Sequence, residues 1–110
     1  MSIGHDSLAE LAALVSAPRV MPDSGIDYIF LPGLKIAVGD EERVLDALLC
    51  PVQHVGYTTR LFLAEPIPQR GQNWTVHNIL GRTWHTWSWN NVPSSLSPMK
   101  ILSAHLGALR

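Results

Sequence analysis

The residues best suited to chemistry or recognition lie in one stretch, Gly81-Arg82-Thr83-Trp84-His85-Thr86-Trp87-Ser88-Trp89-Asn90-Asn91. Trp84, Trp87 and Trp89 fall within six residues, with His85 beside the first of them. Tryptophan combines a large apolar surface with a single N–H donor, which suits the hot spots of protein interfaces. The same side chains also fill cores, and this chain is otherwise short of aromatics. If the stretch is extended, Trp87 and Trp89 share a face that Trp84 does not. At least one of the three should then face outward, toward a partner.

Other reactive types are scattered. Cys50 precedes Pro51 at the end of an apolar run. A free cysteine usually behaves as a small buried hydrophobe, and a reactive thiolate needs a helix N-terminus or a cation beside it. His54 is the nearest candidate in sequence, so Cys50 reads as inert, with catalysis by its thiol as an alternative. None of the five histidines (His5, His54, His77, His85, His105) pairs with another His or with Cys at metal-ligand spacing. No metal and no cofactor is expected. Phosphate-binding glycine patterns, a nucleophile elbow and paired carboxylates are missing as well.

The elements that must position these residues belong to one domain spanning residues 1–110, since 110 residues leave no room for a second core. With 46% hydrophobic and 15% charged residues the chain can bury a real core. No apolar run approaches the roughly 20 residues that span a bilayer, and Met1–Glu10 does not read as a secretion signal. A single cysteine fits a reducing, cytoplasmic setting. The net charge of −1 gives no nucleic-acid signature. Charge is nonetheless uneven. All nine acids lie in residues 1–65, and residues 66–110 carry only bases, which could steer a partner.

The spacing predicts a helix over 6–16, with Ser7 and Glu10 as a capping box and Leu8, Leu11, Ala12 and Val15 as its apolar stripe. Pro18 and Pro22 end it, and residues 1–24 read as this helix and a linker. Strands are expected over 26–31, continuing to Val38 beyond the Pro32-Gly33 turn, and over 57–64, where alternation is clearest. Residues 43–50 fit strand or helix equally. Residues 65–73 read as a loop and 74–92 show no firm period. A closing helix over 97–109 has Ser97 as N-cap, Pro98 at its first position, and Ile101, Leu102, His105, Leu106 and Leu109 facing inward. The fold class is α+β, an antiparallel β-meander with flanking helices.

These pieces resemble the ubiquitin-conjugating-enzyme (UBC-like) superfamily, in particular a prokaryotic branch found in bacterial ubiquitin-like conjugation operons. The resemblance covers roughly residues 25–110. It rests on Gly25–Gly33 as first strand and turn, Leu49-Cys50-Pro51 through Pro66 as meander, and His77-Asn78 as the His-Asn element. Gly81-Arg82-Thr83-Trp84-His85-Thr86-Trp87-Ser88 is similar to the bacterial Gly-x-x-Trp-x-x-Trp-Ser pattern, and Ser97-Pro98 opens the closing helix. The resemblance implies a UBC-like fold and two partners, a ubiquitin-like protein and its activating enzyme, with no nucleic acid and no membrane.

The chain departs from that pattern where it matters most. Trp84 stands where the superfamily has its catalytic cysteine, and Cys50 falls one or two strands too early. The resemblance therefore implies either a non-catalytic pseudoenzyme or a carrier that forms an oxyester on a hydroxyl. Trp84, Trp87, Trp89 and Arg82 are the partner-binding candidates. Ser88, His85 and Thr86 are the catalytic ones, with Thr83 as a further hydroxyl and His85 as the base that a hydroxyl nucleophile requires. His85 and Ser88 are three residues apart, which brings them together on a helical turn but not across a flat strand. A plain interaction adaptor using the Trp-rich segment is the alternative from a different class.

Overall fold

The structure, a computed structural model, describes residues 5–38, 40–52, 57–67, 73–89 and 92–107, without the side chains of residues 5–7. The capping side chain of Ser7, His54 as a neighbour of Cys50 and the end of the last helix at Leu109 lie outside what is described. The elements run α1 (His5–Leu11), β1 (Arg19–Asp23), β2 (Ile26–Val38), β3 (Glu41–Cys50), β4 (Arg60–Leu63), β5 (Thr75–Ile79), β6 (Arg82–Thr86) and α2 (Pro98–Gly107). The strands form one antiparallel sheet in the order β1-β2-β3-β4-β6-β5.

This corrects the expected UBC-like α+β fold. The molecule is mostly a six-stranded antiparallel sheet, and its helices take only 7 and 10 residues. Two segments read as irregular are strands. Residues 19–23 pair with β2 in spite of Pro22, because β1 is an edge strand that needs no ladder donor on its outer side. Residues 75–86 form a hairpin whose turn, Leu80-Gly81, lacks the Asn-Gly or Asp-Gly pair that announces such turns. Residues 43–50 resolve to strand, with Ala47, Leu48, Leu49 and Cys50 all buried, the pattern of a strand covered on both faces. The strand read over 57–64 narrows to Arg60–Leu63.

β2 is continuous through Pro32-Gly33 only because it bulges there. The register shifts between Leu31 and Leu34, and Gly33 takes the left-handed conformation (φ 63°) that a side chain would strain.

The sheet has two unlike faces. On one, α1 and α2 pack over Ile29, Leu31, Leu34, Ile36, Ala47, Leu49, Leu61 and Leu63, with Leu11, Val15, Ile101 and Leu102 from the helical side. On the other, Tyr28, Leu48, Cys50, Phe62, Ile79 and Trp84 form a second buried cluster without a helix. The β5–β6 hairpin folds across this face instead. Trp84 meets Phe30 of β2, His77 meets Phe62 of β4, and the Leu80 amide reaches the Asp23 carboxylate of β1 at 2.7 Å.

Candidate functional site

Among the described residues the fold-over leaves a concave site, a depression of about 140 Å³ lined by Arg19, Met21, Phe30, Leu80, Arg82 and Trp84. Strand register accounts for its walls. Arg19 lies opposite Phe30 and Met21 opposite Tyr28, so β1 and β2 present these side chains on one face. Arg82 and Trp84 alternate onto the same side of β6. Phe30 and Trp84 meet edge to face, with ring centres 6.3 Å apart, and make an apolar floor. The Trp84 indole N–H is satisfied by the Ile79 carbonyl at 3.1 Å.

Two guanidinium groups rim that floor. Arg19 lies 5.3 Å from the Phe30 ring centre and Arg82 lies 4.6 Å from that of Trp84, within cation–π range. Arg82 also pairs with Asp46 at 3.2 Å, and Asp46 is held by accepting the Gly33 amide at 2.9 Å. No carboxylate pairs with Arg19 among the described residues. The rim therefore carries one surplus positive charge.

Leu80 completes the wall at a cost. It has φ 57°, a left-handed conformation that a leucine pays roughly 1–2 kcal/mol to adopt. A turn needs only Gly or Asn there, so the apolar side chain is retained despite the strain. The volume is below the roughly 300–1,000 Å³ of small-molecule sites. It suits a single inserted side chain.

The structure separates the other sequence candidates. Trp84 and Trp87 are 1% and 2% exposed, Trp84 in the hairpin-side cluster and Trp87 in the helix-covered core, so both are core. This was hidden in the sequence because the two rings enter separate clusters on opposite sides of the sheet. Trp87 packs 5.2 Å from Trp74 and 6.1 Å from His105. Only Trp89, at 37%, is exposed. Arg82 and Trp84 come together in the pocket, and Trp87 and Trp89 do not join them.

Ser88 and His85 do not pair. His85 lies opposite Leu63, on the helix-covered side, whereas Ser88 accepts a hydrogen bond from the Tyr57 hydroxyl at 3.0 Å. Positions three apart on extended chain point to opposite faces, so the base is lost to the hydroxyl. Thr86 is buried and donates to the Leu61 carbonyl at 2.7 Å, and Thr83 is exposed beside Asn78. Neither is placed as a nucleophile.

Cys50 is fully buried, its thiol donates to the Val52 carbonyl at 3.3 Å, and burial pushes its pKa up. His105 sits in the core as its stripe position predicts. The Thr59 hydroxyl donates to the Val92 carbonyl, so His105 Nε2 must carry the proton it shares with Thr59 Oγ1 at 2.9 Å. Among the described residues no three His, Cys, Asp or Glu gather as metal ligands. No helix is long and apolar enough to cross a membrane.

Sequence reasoning missed Arg19, Met21, Phe30 and Leu80. They become neighbours of Trp84 only through a fold-over between distant strands. The signal present was Gly81 after Leu80, a turn glycine inside the stretch read as irregular. No family model, no curated protein and no solved structure matches the chain.

Proposed function

We propose that the protein is a non-enzymatic interaction module whose pocket receives an apolar side chain, flanked by an acidic residue, from a partner protein. The observation that carries this reading is the pocket's construction: an aromatic floor, a strained leucine wall, and two arginines of which one lacks a counter-ion. The apolar floor takes the side chain, and the arginine rim takes the carboxylate, giving specificity and orientation. The lone thiol Cys50, without a disulfide partner in the sequence, supports a cytoplasmic setting.

An array of short peptides with varied charge and apolar content tests the reading. Bound peptides should be enriched in Asp or Glu beside a large apolar residue, and Arg19→Ala should lose them. Peptides without acidic bias, or equal capture by the variant, would contradict it.

The sequence resemblance nominates a ubiquitin-like protein and its activating enzyme as the first partners to try. Mixing both with the protein and ATP, and reading intact mass, separates binding from chemistry. A stable complex without an adduct supports the module. An adduct that survives thiol reductant, is cleaved by hydroxide and disappears in Ser88→Ala would replace it with an oxyester carrier.

A further inference from the structure

Arg60, on β4, is a buried cation that the pocket does not use. It is only 4% exposed, yet both ion pairs among the described residues, Arg43–Glu65 and Arg82–Asp46, leave it out. Its guanidinium lies 4.0 Å from the centre of the Tyr57 ring and 5.9 Å from that of Phe62. Those ring faces favour a cation but accept none of its directed N–H bonds. Its Nε–H is buried and has no acceptor.

Among the described residues no carboxylate pairs with Arg60. Across the sheet, Arg60 lies opposite Cys50, whose buried thiol is neutral and already bonded to Val52. His77 and His105 both feel the Arg60 charge as a repulsion. A buried guanidinium Nε–H without an acceptor leaves a desolvation cost that an oxyanion would offset.

Tyr57 links Arg60 to a second donor, the half-buried Ser88 hydroxyl. The Tyr57 ring stacks on Arg60, and its hydroxyl donates to Ser88 Oγ at 3.0 Å. That bond uses a lone pair of Ser88 and leaves the serine's own proton without an acceptor among the described residues.

We propose that Arg60 and Ser88 form a binding site for a small oxyanion, a carboxylate or phosphate group. The guanidinium fork supplies directed N–H donors to its oxygens, and the Ser88 hydroxyl supplies a further one. Tyr57 is the positioning residue, holding the fork with its ring and the serine with its hydroxyl. The site shares no lining residue with the pocket and does not depend on it.

The test is a ¹H–¹⁵N titration of the full chain that follows the sheltered Arg60 Nε–H signal. Inorganic phosphate and sodium acetate are added separately, against sodium chloride at matched ionic strength. The expected result is a saturable displacement by phosphate or acetate that chloride does not reproduce. Whichever of the two saturates at the lower concentration identifies the ligand class. Arg60→Lys keeps the charge and loses the fork, so the affinity, then read from other amides, should fall by about tenfold. Ser88→Ala should weaken binding several-fold and serves as the readout if the lysine variant does not fold. No displacement, an equal effect of chloride, or unchanged affinity in Ser88→Ala would overturn the proposal.

Discussion

The two faces of the sheet are built from the same strands and solve different problems. On the helix-covered face, Leu and Ile side chains from β2, β3 and β4 meet α1 and α2, and the buried polar groups Thr59 and His105 satisfy each other and the Val92 carbonyl. On the other face the hairpin replaces helices, and the contacts are aromatic rings against arginines: Arg19 on Phe30, Arg60 on Tyr57, Arg82 on Trp84. Among the described residues each face holds one buried side-chain N–H without a partner, Trp87 Nε1 on the first and Arg60 Nε on the second. A neutral indole N–H costs about 1–3 kcal/mol when unpaired, and a guanidinium costs more. The buried guanidinium of Arg60 and the left-handed Leu80 both lie on the hairpin side. Both faces hold buried clusters, and the exposed arginines Arg19 and Arg82 lie beside the hairpin-side one.

The sharpest way to break this comparison is through the tryptophans. Trp87→Ala should cost about 3–5 kcal/mol in urea unfolding, because it empties the helix-covered core. Trp89→Ala, at an exposed position, should stay within about 0.5 kcal/mol. Equal effects would erase the difference between core and surface tryptophans.

Acid should act on the helix-covered face next. Burial, with the Arg60 charge as a smaller cause, pushes the pKa of His105 down to about 4 from an ordinary value of 6.5. The unfolded chain therefore binds the proton first. His105's contribution to stability is fully present above pH 6.5 and is lost as pH falls toward 4, by about 3 kcal/mol in all. His77, whose pKa burial also lowers, adds to the same slope. Unfolding free energy measured from pH 7 to 4 should show this loss, and His105→Gln should flatten most of it.

The hairpin face should respond in binding more than in stability. Arg19→Ala should weaken an acidic peptide about tenfold, roughly 1.4 kcal/mol, with thermal unfolding little changed. A small effect on the fold is also expected at Leu80. Leu80→Asn relieves the left-handed strain but gives up apolar contact, leaving stability within about 1 kcal/mol while the pocket loses a wall. A large stability loss there would mean that Leu80 supports the fold and not the pocket.

The sequence revealed the parts of this architecture that depend on local pattern. Ile26–Leu31, Leu34–Val38 and the Leu61–Leu63 alternation are strands as read, and Pro98 opens α2 with Ile101, Leu102 and His105 inward. The conjugating-enzyme fold failed because the chain is mostly a six-stranded antiparallel sheet with two short helices, and the Trp-rich segment that anchored the resemblance begins as a hairpin strand of that sheet. Its turn pairs Gly81 with Leu80, a residue with no turn preference, so the glycine was the one local signal for it. For the pocket, Arg82 and Trp84 were legible as unusual residues. Arg19 and Phe30 were not, since only the fold-over brings β1 and β2 against β6.

The most direct test of the central claim is to map a bound acidic peptide from the array onto the protein by chemical-shift perturbation. The account predicts changes at Arg19, Met21, Phe30, Leu80, Arg82 and Trp84, with Ile101 and Leu102 on the helix-covered face silent. Perturbations centred on the helices, or on the outer edge of β5 around the exposed Val76, would contradict it.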